Sequence, residues 1–384
     1  MNRFCQAVLV ILIALGMALL PGCYDQMNLE DASIALMLGL DVDNNGQFLV
    51  YTQSPVFSRE AKEKTETVMV TADSIRLSRA KFDAVFTGIT TGGKLQTILI
   101  GKRLLQKKEW FTLFDMFYRV PKLTETPRAV VVDGSVKDIF EFKPGDKPRL
   151  SLHMSKLIDT ANMSDITVLT NLQELRRQMK EKGMTPSLSL IKKGKDDVLV
   201  TGTALINKKN TFAGQLSLQE STLLLILQNQ INGVPSLVLD FGPAKEEEDG
   251  GNETEATVKN VIAIDITSYK RKVHTGFSNG KFSFHVDLHF NIVITTLQRM
   301  DSMSKREDKP AIERMITSAL TKDIDALISK CQRASVDPFG FGLYARAYQY
   351  KSWKSVQNEW DKAFAEAEVG VHVKTSIKSF GVLE

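Results

Sequence analysis

His285, Asp287 and His289 are the residues whose types and spacing come closest to a reactive cluster. They alternate with Phe284, Val286, Leu288 and Phe290, so a strand would project all three from one face. Two imidazoles and a carboxylate are zinc ligands in type. The wet side of any half-buried strand shows the same alternation, and that is the simpler reading. Gly88-Ile-Thr-Thr-Gly-Gly93-Lys94 approximates a phosphate-binding loop, but Leu95 stands where magnesium needs a hydroxyl. The segment also leaves a helical pattern and enters a strand, the reverse of what such a loop requires, so its glycines read as a helix stop and turn. His153, His274 and His372 lie in no motif. There is no Gly-x-Ser-x-Gly elbow, Cys-x-x-Cys pair or His-Glu-x-x-His. Cys331 falls on an apolar helical stripe, which makes it a packed thiol. The expectation is a protein with no catalytic residue, no metal and no cofactor, hence not an enzyme.

Composition sets the same bounds. The 384 residues are 43% hydrophobic and 24% charged, an ordinary globular balance with room for more than one domain. The net charge of +4 is too small and too dispersed for a nucleic-acid binder. Three cysteines are too few for a disulfide framework.

The N-terminus reads as an export signal. Arg3 precedes an apolar run that, counted generously from Cys5 to Leu20, has 16 residues. At about 1.5 Å per residue it spans roughly 24 Å, short of the ~30 Å hydrocarbon core. The ending Leu20-Pro21-Gly22-Cys23 resembles a lipobox, with Pro21 departing from the small residue usual there. Cleavage between Gly22 and Cys23 would leave a lipidated Cys23, and two acyl chains hold a protein stably to a leaflet.

The elements that must position these groups follow from periodicity. Leu29 to Leu40 and Gln47 to Gln53 read as a hairpin closed by Asp41 to Gly46. Val68 to Ala72 reads as a strand, Asp73 as an N-cap, and Ile75, Ser78, Ala80, Phe82, Val85 and Phe86 as one side of a helix. Leu95 to Ile100 and Ala129 to Val132 read as strands, Trp110 to Tyr118 and Asp165 to Lys182 as helices, and Thr185 to Ile191 as extended. Val198 to Ile206 and Thr211 to Leu216 flank a four-residue connection, another hairpin. Ser217-Leu-Gln-Glu220 then has the form of a capping box opening the apolar helix around Leu223 to Leu227. Ala244 to Ala256 breaks every periodicity and reads as a mobile acidic linker or exposed loop. Beyond it, Val258 to Tyr269 and Lys281 to Leu297 bracket the tight turn Asn279-Gly280. A helix carries Met315, Ile316, Leu320, Ile324, Leu327, Ile328 and Cys331 on one stripe. A second carries Trp353, Val356, Trp360 and Phe364, and Val369 to Ile377 closes as a strand.

The expected class is therefore α+β, with several antiparallel-rich sheets each covered by helices. Its units are a signal peptide at 1–22, an N-terminal α/β unit at 23–196, and a central hairpin and helix at 197–243. An acidic connection follows at 244–257, then a C-terminal strand-strand-helix-helix-strand unit at 258–384.

Three blocks carry a family resemblance. Met27-Asn-Leu-Glu-Asp-Ala-Ser-Ile-Ala-Leu-Met-Leu-Gly39-Leu40-Asp41 follows the lipobox. Thr201-Gly202-Thr203-Ala204 precedes Phe212, Gly214, Leu216, Ser217 and Glu220. Gln332 precedes Asp337-Pro338-Phe339-Gly340-Phe341-Gly342, with Trp353 and Trp360 downstream. In the last block Asp-Pro starts a turn, the glycines permit backbone angles that other residues avoid, and Phe339 and Phe341 pack beneath. Over nearly the whole chain these blocks resemble the Ger(x)C lipoprotein family, the C subunit of GerA-type spore germination receptors. Gly93-Lys94-Leu95 and Arg119-Val120-Pro121 depart from the usual family patterns and bear on subgroup.

The resemblance implies a three-domain lipoprotein on the outer face of the spore inner membrane, assembled with integral membrane subunits of A and B type into a nutrient receptor. It attaches no catalysis and no cofactor. Two other classes fit less well. A lipid-anchored solute-binding protein needs two similar lobes, and the halves here are dissimilar. A cell-wall hydrolase needs paired carboxylates or a metal site, which the sequence does not display.

Overall fold

The computed structural model describes residues 3, 4, 7, 32–57, 60–120, 123, 125–143, 145–243, 259–298 and 308–380. Gly22, Cys23 and the acidic stretch 244–257 lie outside them.

The first unit runs β1 (Ala32–Ile34), β2 (Met37–Val42), β3 (Phe48–Pro55), β4 (Thr65–Thr71), α1 (Ile75–Asp83), β5 (Ile89–Thr91) and β6 (Thr97–Gly101). A 3-10 turn at Trp110–Phe114 then leads into α2 (Asp115–Arg119), β7 (Arg128–Val132), α3 (Val136–Phe140), α4 (Leu150–Met163) and α5 (Leu172–Lys180). Of the first expected hairpin strand, residues 29–31 lie outside the described residues and the rest divides into β1, which pairs with β5, and β2, which pairs with β3; β8 (Ser187–Lys193), β9 (Val198–Ile206) and β10 (Phe212–Leu216) complete one eight-stranded sheet in the order β10-β9-β8-β7-β6-β2-β3-β4. Its centre, β8-β7-β6-β2, is parallel, and antiparallel pairs flank it on both sides. Parallel strands are covered on both faces. Leu40, Val50, Ile98, Ile100, Val131 and Leu190 pack under α1, the Trp110 turn and α5. Tyr51, Leu99, Val130, Val132 and Ile191 alternate with them and pack under α3 and α4.

The second unit runs α6 (Leu218–Gln228), β11 (Ser236–Pro243), β12 (Lys259–Ser278), β13 (Lys281–Gln298), α7 (Lys309–Arg333), α8 (Phe341–Tyr348), α9 (Tyr350–Val356), α10 (Trp360–Ala365) and β14 (Glu368–Ser379). Its sheet is ordered β11-β12-β13-β14, and β14 runs parallel to β13. One face takes the α7 stripe, the aromatic residues of the short helices and the wholly buried Leu223–Leu227 run of α6. Residues 197–243 thus contribute β9 and β10 to the first sheet, and α6 and β11 to the second core. The whole is α+β, as expected. Among the described residues no helix is long and apolar enough to cross a membrane.

Four local expectations are corrected. Ser74, not Asp73, caps α1, because its hydroxyl is the one that reaches the Leu77 amide, at 3.2 Å. Ala80 and Val85 face solvent, since the buried side of that short helix is Ile75, Ser78 and Phe82. The single helix expected over Asp165–Lys182 is only α5. Asp165 sits at φ 57° and ends the preceding helix, while the Thr167 and Thr170 hydroxyls bond sheet carbonyls at Gly202 and Ser187. The helix expected to carry Trp353 to Phe364 is broken at Glu359, at φ −127°, into α9 and α10, and α8 is set off from α9 at Gln349, at φ −130°, so that three short pieces wrap the aromatic core.

Candidate functional site

Asp337 follows the left-handed Ser335 that terminates α7, and its carboxylate is fully buried. Oδ1 accepts from the amides of Gly340 at 2.9 Å and Phe341 at 3.1 Å. Oδ2 accepts from the Gly342 amide and from Trp360 Nε1, each at 2.9 Å. The loop can close this tightly because Gly340 takes φ 78°. Outside the loop, the Asp337 carbonyl accepts from the Thr185 amide at 2.8 Å and the Pro338 carbonyl from Gln228 Nε2 at 2.8 Å. The turn therefore joins α7, α8 and α10 to α6 and to the entry of β8. Phe339 and Phe341 are buried beneath it. The Phe341 ring lies 4.9 Å from that of Phe284 on β13 and 5.9 Å from that of Phe364.

Burial pushes the Asp337 carboxyl up to about 6, while the four donors pull it down. Lys208 lies in its field and bonds the Glu181 carbonyl; burial lowers that ammonium, and Asp337 and Glu181 oppose the drop. Burial likewise raises the thiol of Cys331, one turn from the end of α7. Asp337 and Cys331 are both buried. What the arrangement can do is fix the angle between the end of α7 and the rest of the molecule.

Ser217 and Glu220 make reciprocal bonds. The Ser217 amide donates to Glu220 Oε2 at 2.7 Å, and the Glu220 amide to Ser217 Oγ at 3.2 Å. The same carboxylate receives Lys330 Nζ at 2.8 Å on each oxygen, which couples the start of α6 to α7. Upstream, Gly202 at φ 136° could not carry a side chain, since a Cβ would lie 1.9 Å from the Leu216 carbonyl oxygen.

His285, Asp287 and His289 share the solvent face of β13, but they do not converge on one point. Asp287 lies 3.6 Å from His274 Nε2, and His289 Nε2 lies 3.1 Å from Ser376 Oγ. Among the described residues no three His, Cys, Asp or Glu side chains could hold a metal ion.

Asp41, expected at the start of the first hairpin turn, lies instead inside β2, paired with Leu49. Asp41 is buried, and its Oδ2 accepts from the Val136 amide at 3.1 Å and from Arg103 Nη2 at 3.3 Å. Gly101 leaves the space it needs, because a Cβ there would fall 2.3 Å from Asp41 Oδ1, and Gly39 likewise lets α3 approach. The signal was present in Gly39-Leu40-Asp41, where an acid ends a strand that is otherwise apolar.

Residues 25–193 match the family described as the spore germination protein N-terminal domain, and residues 201–381 that described as spore germination B3/GerAC like, C-terminal. Spore germination protein B3 of Bacillus subtilis (strain 168) is 22% identical over 374 residues, 95% of each chain. Spore germination protein KC of the same organism is 21% identical over 419 residues, 98% of this chain and 96% of that one. The crystal structure of the GerBC protein superposes with a TM-score of 0.56 at 18% identity, covering 91% of this chain and all of that one.

Proposed function

The chain belongs to the GerAC-like family of spore germination proteins, and from that premise we propose that it is the lipid-anchored, extracytoplasmic subunit of a nutrient germinant receptor. In this reading Cys23 carries the lipid, and the folded units lie on the outer face of the spore inner membrane. They work by assembling with integral membrane subunits of A and B type and not by catalysis. The observation that carries the reading is that two germination families tile the chain from residue 25 to residue 381. The distinctive residues of the Asp337 turn and the α6 cap support it, because their chemistry is spent on internal hydrogen bonds. Anchoring also gives weak docking surfaces a high effective concentration, in the millimolar range for short tethers.

The test is labelling and co-isolation in a sporulating host. Wild type should incorporate labelled fatty acid and bring multi-span membrane proteins with it from detergent-solubilised spore membranes. Cys23→Ala should do neither. Equal labelling of the two proteins, or isolation of the wild type without membrane partners, would overturn the reading.

A further inference from the structure

Four of the chain's five histidines lie on one surface. In the register of the second sheet, Lys270, His289 and Lys374 stand side by side across β12, β13 and β14. Lys272, Asp287 and His372 form the next row, and His274 and His285 the row after that, with His285 lying over Gly370. These side chains alternate with the buried residues of the same strands and point away from the helices. The patch occupies the half of the sheet that β11 does not reach. Asp240 and Asp265 lie in the other half, Glu368 stands at the near end of β14, and Lys378 at its far end.

The make-up of this face says what it suits. It has no arginine, no Phe, Tyr or Trp and no large apolar side chain among the eight residues named, whereas specific protein interfaces are built on Tyr, Trp, Phe and arginine anchors and are depleted in lysine. Lysine is a hydrated point charge that needs no directional partner. A lattice of lysines and imidazoles therefore matches a laterally mobile field of negative charge better than a shaped protein surface. We propose that this outer face of β12, β13 and β14 rests on anionic phospholipid headgroups. The inference rests on the reading that the chain is held at a leaflet. It adds to it an orientation, with the second sheet lying against the bilayer and the α7 side turned away.

Asp287 is the carboxylate within the rows, and it faces Lys272, His372 and His274. Each basic group near an anionic leaflet adds to the attraction, and salt screens it.

The test uses the chain from residue 24 onward, which contains both sheets and every contact described above and lacks Cys23. It is sedimented with vesicles of phosphatidylcholine alone or with about one third phosphatidylglycerol. Binding should need the anionic lipid and fall in high salt. The exposed triple change Lys270→Glu, Lys272→Glu, Lys374→Glu should abolish it with the unfolding temperature unchanged. Equal binding to both vesicle types would overturn the inference, as would binding that survives the lysine changes. So would loss of membrane-subunit co-isolation in the lysine variant while vesicle binding persists, which would make the face a protein contact. A chain that labels with fatty acid at Cys23 yet ignores anionic vesicles would sink this inference alone and leave the receptor reading intact.

Discussion

Gly183 and Gly342 meet backbone to backbone. A Cβ on Gly342 would lie 2.5 Å from the Gly183 Cα and 2.6 Å from the Trp360 ring, and a Cβ on Gly183 would lie 2.6 Å from the Gly342 carbonyl carbon. The loop before β8 and the first turn of α8 can touch only because both residues lack a side chain. The Thr185 to Asp337 hydrogen bond, two residues away on one side, depends on that approach.

Alanine at either glycine should therefore act as overpacking against main chain that has nowhere to go. We expect Gly342→Ala and Gly183→Ala each to cost about 2 kcal/mol or more. Urea unfolding checks this. Unchanged midpoints for both variants would show that the junction yields freely.

Asp337 should give the protein a pH slope of unusual sign. Its carboxyl titrates at about 6 in the fold, above the ~3.9 of an unfolded aspartate. Between those values the native state holds a proton that the unfolded state has released. The stabilisation is thus complete below pH 4 and is lost as pH rises through 6, by roughly 3 kcal/mol. Asp337→Asn removes the titration but turns an amide N–H toward two of the four donors, so it should be less stable throughout and lack this slope. Unfolding free energies of both proteins at pH 4.5 and 7.5 decide the matter, and parallel slopes would contradict the assignment.

At the α6 cap the two halves should separate by size. Ser217→Ala loses the bond to the Glu220 amide and should cost about 1 kcal/mol. Glu220→Gln keeps an oxygen for the Ser217 amide and loses the ion pair with Lys330. Both of those side chains are partly exposed, so that change should cost less than about 1 kcal/mol. Thermal melts in low and high salt test the order, since only the second effect should shrink with salt.

What the sequence revealed of all this divides by distance along the chain. The alternation from Phe282 to Phe290 announces β13 because side-chain direction is local. That β14 joins it in parallel, or that β2, β6, β7 and β8 form a parallel centre, depends on partners far away, which no short pattern encodes. The same limit explains Thr167 and Thr170. The stretch before α5 looks helical until the Gly202 and Ser187 carbonyls claim its hydroxyls. At the candidate site, Asp337-Pro338 and the two glycines read as a turn. Trp360, which supplies the fourth donor from 23 residues downstream, read only as a core aromatic. Asp41 reads as a turn residue for the complementary reason. Its partners Arg103 and Val136 come from loops and helices whose approach is visible only after β2 and β6 are paired.

Cys331 supplies a clock for the same junction. Its thiol is wholly buried in the last turn of α7, and its carbonyl accepts from the Val336 amide at 3.0 Å in the step that leads to Asp337. Burial holds the thiol above its usual range, so the thiolate that reacts with a disulfide reagent is scarce in the closed state. In the chain from residue 24 onward Cys331 is the only cysteine, and its modification should then proceed through opening of the Asp337 turn or through global unfolding. We expect slow release of chromophore from an aromatic disulfide reagent at pH 8, complete reaction in guanidinium, and an accelerated native rate in Gly342→Ala in proportion to its lost stability. Fast reaction of the wild type would mean that the end of α7 opens independently of the turn. An unaltered rate in a destabilised Gly342→Ala would mean that the turn does not govern access to the thiol.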